Sequence, residues 1–182
     1  MKKTLLLLLI TLTCTVVSGC GYKLSEADIS QYLQKHIDYK KSYKIGALAE
    51  VDSNLSQLHV QIGRDNTQQI VLTGQIQLHI TSIIKDFEVT SQGTFSSKPV
   101  YNKKEGAIYL TNLHIDLKDI QPAKLAPVVE RFLPKIQKSL AIYLKQKPIY
   151  KLDPNKTKQW LAKRFADDIE ITPGQIQLNF SL

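Results

Sequence analysis

Between Ile70 and Ile80 the chain alternates without a break: Ile70, Leu72, Gly74, Ile76, Leu78 and Ile80 on one side, Val71, Thr73, Gln75, Gln77 and His79 on the other. Only a backbone with a side-chain period of two sorts such a run into an apolar and a wet face, so this segment is a strand with one buried surface. Gly74 in its middle predicts a bulge or a sharp bend. The same pattern precedes it in the stretch from Ala49, where Leu58, Val60 and Ile62 lie opposite Gln57, His59 and Gln61, and a turn is expected at Gly63 to Gln68. A third strand follows near Phe87 to Phe95, with Phe87, Val89 and Phe95 inward. After a turn at Lys98 to Gly106 comes a fourth, around Ala107 to Leu117. Strands this closely spaced make an antiparallel meander, whose Gln-, Thr-, His- and Ser-rich side stays wet.

Helical periodicity brackets the meander. Ser25 with Asp28 three residues on forms a capping box, and Ile29, Tyr32, Leu33 and Ile37 fall on one stripe of the helix it opens. Pro122 opens a second helical region, in which Leu125, Val128, Val129, Phe132, Leu133, Ile136, Leu140, Tyr143 and Leu144 make a wide apolar face ending before Pro148. Pro127 and Pro134 are expected to interrupt or bend it, since each lacks an amide donor and clashes with the preceding turn. A third helix, roughly Pro154 to Asp168, carries Trp160, Leu161, Phe165 and Ile169. The last strand alternates Ile176, Leu178, Phe180 and Leu182 with Gln175, Gln177, Asn179 and Ser181. The expected fold class is α+β: a curved antiparallel sheet wrapped around the long helix of the C-terminal half, with a further helix at the N-terminus. Loose wrapping leaves an apolar groove between sheet and helix.

The first twenty residues obey other rules. Lys2 and Lys3 form a positive start, Leu5 to Leu12 a compact apolar run, and Val17-Ser18-Gly19-Cys20 closes the segment. The order is that of a secretory signal, and the closing residues resemble the lipobox read by bacterial lipoprotein signal peptidase. The apolar run is too short to span a bilayer as a helix. Residues 1–19 are therefore expected to leave as a signal peptide, and 20–182 to form one periplasmic domain large enough to bury a core. Cys20 then carries a diacylglycerol thioether and a further palmitate-type acyl chain on its amine. At ~0.8 kcal/mol per buried methylene, such an anchor does not release. Gly21 stands where an aspartate retains many lipoproteins in the inner membrane. By likeness to sorted Gram-negative lipoproteins, the expected location is the outer membrane, lipid-anchored and facing the periplasm.

Loss of the signal takes away Cys14, Lys2 and Lys3, so the formal net charge falls by two, from +8 to +6. With Cys20 alkylated, no thiol is left for a disulfide, a metal or nucleophilic catalysis. The basic excess is spread over Lys40-Lys41, Lys103-Lys104 and Lys156 to Arg164, as on a solvated surface, and no nucleic-acid partner is expected in this compartment. His59, His79 and His114 share the polar faces of their strands and read as solvated histidines, with no metal expected. Asp167, Asp168 and Glu170 read as surface acids near a helix end. Neither a Ser-His-Asp spacing with an elbow glycine, nor a phosphate-cradling glycine loop, nor a zinc spacing occurs. The chain reads as a non-enzyme without a cofactor. At Gly63-Arg64, the arginine is either an exposed hairpin residue or a guanidinium at a cavity mouth, where phosphate or carboxylate head groups suit its fork.

Several stretches together carry a family resemblance: Gln61-Ile62-Gly63-Arg64, Val71-Leu72-Thr73-Gly74, Lys104-Glu105-Gly106-Ala107-Ile108 with Leu110, Gln121-Pro122, Leu133-Pro134, Gln146 and Pro148 with Tyr150, Ile169-Glu170, and Pro173-Gly174. In this order and spacing the chain resembles the YceB-like bacterial lipoproteins, a family of unknown function, over nearly the whole mature domain. Members of that family are similar in fold to the tubular lipid-binding superfamily, in which a curved sheet encloses a lipid-sized cavity around a long helix. The resemblance brings no catalytic motif and implies binding of a lipid or another hydrophobic ligand. On that implication Ile62, Leu72, Ile76, Leu78, Phe95, Phe132, Ile136 and Leu140 are expected to line the interior, with Arg64 near a head group. The alternative is a solidly packed, membrane-tethered module that docks an envelope protein partner through an exposed apolar patch.

Overall fold

The computed structural model describes residues 21–45 and 49–180; the expected signal peptide 1–19, Cys20, and Ser181 and Leu182 of the expected last strand lie outside the described residues. In chain order the elements are β1 (Gly21–Ser25), α1 (Glu26–His36), β2 (Tyr39–Ile45), β3 (Ala49–Ile62), β4 (Ile70–Ser82), β5 (Phe87–Asn102), β6 (Ala107–Gln121), α2 (Ala126–Gln146), β7 (Tyr150–Lys151), α3 (Thr157–Phe165), β8 (Ala166–Thr172) and β9 (Gln175–Phe180). Strands β2 to β7 form one antiparallel sheet in chain order, and β1, β9 and β8 form a second, smaller one. The predicted meander is present, with longer strands than the alternation indicated. The expected turn at Lys98 to Gly106 is mostly strand, because β5 runs on to Asn102 paired with β6. Pro99 is tolerated there since β4 stops pairing at Ser97, which leaves one side of β5 open.

Three one-residue bulges set the shape of the large sheet. Ser56 to His59 on β3 spans three steps against two on β4, and Gln121 to Lys118 and His114 to Thr111 on β6 span three against two on β5. Each extra step contains a residue with left-handed backbone: Gln57 (φ 54°), Asp119 (φ 55°) and Asn112 (φ 55°). The inward parity changes at each. On β3, Val51, Ser53 and Leu55 are buried before the bulge, and Leu58, Val60 and Ile62 after it. The bend expected at Gly74 is thus displaced: β4 and β5 pair without a shift through Gly74 and Gly93, and the bulge lies opposite, at Gln57. What the two glycines supply is room. A Cβ on Gly93 would stand 2.7 Å from Phe95 Cζ, and one on Gly74 2.9 Å from Leu58 Cδ2.

Helix α1 begins at the expected capping box: Asp28 N donates to Ser25 Oγ at 3.2 Å and Ser25 N to Asp28 Oδ2 at 2.9 Å. Helix α2 is a single run of 21 residues. Pro127 sits in its first turn, where an amide is not needed, so it starts the helix instead of breaking it. Pro134 lies inside without ending it. Val129, Ile136, Leu140 and Leu144 face the core, while Val128, counted on the apolar face from sequence, is exposed. The helix crosses under the sheet: Gln137 Nε2 donates to Leu113 O of β6 at 3.0 Å, and Tyr143 OH to Asp38 O, just before β2, at 3.3 Å. One face of the curved sheet and this helix therefore enclose the core, as the α+β reading requires. Helix α3 is shorter than expected, because Asp167, Asp168 and Ile169 belong to β8.

Candidate functional site

Of the residues expected to line an interior, Ile62, Leu72, Ile76, Leu78, Phe95, Ile136 and Leu140 are at most 4% exposed in one contiguous apolar cluster. Phe132 packs at its margin, half-buried. Arg64 is not brought to them as a head-group ligand. Its Nη2 lies 2.7 Å from Glu26 Oε2, while Glu26 Oε1 accepts from Ile62 N at 2.8 Å. The arginine is a clamp between the β3–β4 turn and α1.

A cleft of about 410 Å³ opens where α2 meets the edge strand β2. Tyr43, Ile142 and Tyr143 give it an apolar and phenolic floor, with Ser139 and Gln146 beside them. Lys41 from the strand and Lys135 and Lys138 from the helix stand around the rim. Their spacing has a local cause. Alternation in β2 sends Tyr39, Lys41 and Tyr43 to the helix side, and Lys135, Lys138, Ser139 and Ile142 share one flank of α2 at three- and four-residue spacing. Deeper in, the Tyr39 and Tyr43 hydroxyls are 2.6 Å apart and the Tyr143 ring meets Tyr39 edge-on at 5.3 Å. Burial pushes the Tyr39 phenol well above its ordinary value, and burial likewise raises Tyr143. Both remain neutral hydroxyls at physiological pH, so the positive charge at the cleft is that of its lysines. Chemically the arrangement suits an anionic group with a short apolar segment attached.

A second cleft, about 540 Å³, lies on the sheet between Lys40, Ser42, Asp52, Asn54, Gln77, His79, Glu88 and Thr90, with Leu78 the one predicted lining residue at its border. Its polar groups pair with one another: Ser42 donates to Asp52, Asn54 to Gln77 at 3.4 Å, and Glu88 approaches His79 at 3.9 Å. This is a solvated sheet face. Register also keeps the strand histidines apart, with His59 opposite Thr73, His79 opposite Glu88 and His114 opposite Ser96. Among the described residues no three His, Cys, Asp or Glu side chains form a group that could hold a metal. Asp167 is engaged by Lys103, and Glu170 accepts from Asn179 at 3.5 Å. No helix of the described residues is long and apolar enough to cross a membrane.

Sequence reasoning missed the cleft because it missed β2. The signal was there in Tyr39, Tyr43 and Ile45 alternating with Lys40, Ser42 and Lys44, but Lys41 in the middle of the apolar row blurs it.

Residues 24–175 match the family described as "Protein of unknown function (DUF1439)". The chain is 32% identical over 168 residues to "Uncharacterized lipoprotein YceB" of Salmonella typhimurium and 30% identical to the protein of the same name in Escherichia coli, covering 90% of each chain in both cases. Among solved structures it is similar to a crystal structure of lipopolysaccharide binding protein at 9% identity and a TM-score of 0.36, over 87% of this chain and 48% of that one. That superposition is too loose to carry a fold or function argument.

Proposed function

The chain belongs to the DUF1439 family, and from that premise we propose that it is a lipid-anchored lipoprotein of the bacterial envelope that holds a lipid or similar amphiphile at the cleft between α2 and β2. The anchor in this reading is Cys20, after removal of residues 1–19, and the location is the periplasmic face of the outer membrane. The lipoprotein relatives support the anchoring. Sequestration or transfer, not catalysis, is the mechanism. The observation that carries the proposal is the cleft itself, with three lysines above an apolar floor in a volume within the ~300–1,000 Å³ usual for ligand sites. The anionic head group lies among Lys41, Lys135 and Lys138, and the acyl part runs over Ile142 and Tyr143. The interior set, from Ile62 and Leu72 through Ile76, Leu78, Phe95 and Phe132 to Ile136 and Leu140, does not line this cleft but packs as the core behind it, so in this reading it supports the site and does not touch the ligand.

Native mass spectrometry of the protein purified from membranes, followed by organic extraction, tests this. A stoichiometric amphiphile beyond the covalent acyl chains is expected. A clean mass unchanged by added membrane lipids overturns the binding reading.

One observation favours the second reading, a docking module for an envelope protein. At the tip of the β4–β5 hairpin Ile83 and Ile84 are 77% and 92% exposed, side by side. The tip lies beyond the far end of the 13-residue β4, roughly 40 Å from its Ile70 end. In that reading the tip carries the contact, and Ile83→Ser with Ile84→Ser removes it.

A further inference from the structure

Helix α3 turns its apolar side chains outward. Gln159 and Ala162 are buried against the domain, whereas Trp160, Leu161 and Phe165 are 49%, 39% and 48% exposed. At 100° per residue, Trp160, Arg164, Thr157, Leu161, Phe165 and Lys158 follow one another around the outer arc, with Lys163 at its edge. The β5–β6 turn adds Lys103 and Lys104, and a cleft of about 640 Å³ lies between Lys103, Lys104, Pro154, Trp160, Lys163 and Arg164. Lys103 is paired with Asp167, which ties the turn to β8. Large apolar rings among cations, on a short helix lying flat on its domain, make the pattern of a membrane-surface helix.

Strand pairing places this face next to the chain's attachment point. Gly21 is already paired with Asn179 of β9, and in the neighbouring pair of strands Phe180 stands opposite Ala166, the residue that follows Phe165. One peptide bond separates Gly21 from Cys20, so no linker lies between an anchor on Cys20 and the folded sheet. Two strand spacings of about 4.8 Å separate β1 from β8. The end of α3 is therefore within roughly 15 Å of the point where acyl chains would enter the bilayer.

We propose that the outer face of α3 is a membrane-contact surface, in which Trp160, Leu161 and Phe165 enter the interfacial layer while Lys104, Lys158, Lys163 and Arg164 meet the phosphates of anionic phospholipids. This rests on the reading of Cys20 as the lipid anchor. It fixes the orientation of the domain, with the three-stranded sheet toward the membrane and the Ile83–Ile84 tip away from it. A tether alone would leave the domain free to tumble. Two contacts, one covalent and one interfacial, hold it in one pose.

Trp160 is the chain's single tryptophan, and so its own reporter. The full lipoprotein is reconstituted into phosphatidylethanolamine–phosphatidylglycerol vesicles, with or without bromine on the acyl chains, and tryptophan emission is read together with vesicle flotation and the intact mass. Expected are flotation, acyl mass on Cys20, a blue-shifted emission, quenching by the brominated chains and protection from aqueous iodide. Lys163→Glu with Arg164→Glu is expected to restore iodide access while flotation persists, and circular dichroism confirms that this variant is folded. A floating protein whose Trp160 remains open to iodide and indifferent to bromine overturns the contact surface, leaves the anchor standing and points to a protein as the partner of α3. A protein that neither floats nor carries acyl mass overturns the anchor reading and the orientation with it.

Discussion

Glu26 Oε2 and Arg64 Nη2 stand 2.7 Å apart, and through them three separate parts of the chain are joined. The other carboxylate oxygen takes the Ile62 amide at 2.8 Å, Ile62 O accepts from Gly174 N at 2.9 Å, and Gly174 O accepts from Glu26 N at 3.3 Å. The first turn of α1, the end of β3 and the β8–β9 turn therefore share one closed set of bonds, which docks the small sheet on the large one. Acidic Glu26 also lies in the first turn of α1, where the helix dipole favours it.

The two ends of this ion pair are unequal. Arg64 is half exposed, and removing an exposed cation costs under about 1 kcal/mol. Glu26 satisfies a part-buried amide, and Glu26→Ala is expected to cost about 1–3 kcal/mol. Thermal unfolding of the two single variants checks this, and an Arg64→Ala loss equal to that of Glu26→Ala contradicts it.

The alternating strands were legible wherever one parity held, as from Ile70 to Ile80. They became illegible where a bulge changed the parity. On β6 the inward residues pass from Ile108 and Leu110 to Leu113, Ile115 and Leu117, with the left-handed Asn112 between, and to Ile120 after Asp119. Asn and Asp tolerate that backbone well, Gln57 less so, and none of the three announces itself in a sequence full of polar residues. β1 and β8 escaped for another reason: they are short, half polar, and defined by β9, which arrives last. Trp160 and Phe165 were read as part of an apolar helix, and only the burial of Gln159 and Ala162 shows which side of α3 faces in. Sequence named residues of the packed core but not the lysine-rimmed cleft, whose two walls lie about a hundred residues apart.

The Gly93–Phe95 contact gives a second stability prediction. Gly93→Ala puts a methyl 2.7 Å from Phe95 Cζ and 3.0 Å from Ile76 Cδ1, an overpacking expected to cost about 1–3 kcal/mol. Phe95→Leu alone leaves space and is destabilising as well. In the double variant the new methyl occupies part of that space, so the combined loss is expected to be smaller than the sum of the singles. Additive losses in denaturant titrations would show that the glycine is not there for the ring.

Titration of its buried phenols weakens this fold at alkaline pH. Burial raises the phenols of Tyr32, Tyr39, Tyr101, Tyr143 and Tyr150 above the ordinary 10.0, and a hydrogen bond to Glu105 brings Tyr109 to about 12. With a folded value above the unfolded one, the unfolded chain loses protons first, so the contribution of these phenols is fully present below about pH 10 and is lost as the pH rises beyond it. Tyrosinate absorbance followed with circular dichroism is expected to show delayed ionisation that coincides with unfolding. Ionisation of all these phenols near 10 in a chain that stays folded is the contrary result.

The last prediction separates the cleft from the core beneath it. Lys135 and Lys138 project from α2 at the rim and Ile142 is half exposed, so changing them costs little stability, whereas Ile136 and Leu140 are core residues whose truncation to alanine costs about 2–5 kcal/mol. Lys135→Glu with Lys138→Glu is therefore expected to leave the melting temperature nearly unchanged and to abolish retention of an anionic amphiphile, by reversing the charge that faces its head group. Ile142→Asp is expected to weaken retention of neutral and anionic amphiphiles alike, since it removes the apolar floor. Arg64→Ala is expected to leave retention intact, its guanidinium being committed to Glu26. Extraction and lipid quantification of the folded variants decides among these. Loss of ligand in Arg64→Ala, with retention in the double lysine variant, would move the head-group site from the edge of β2 to the β3–β4 turn.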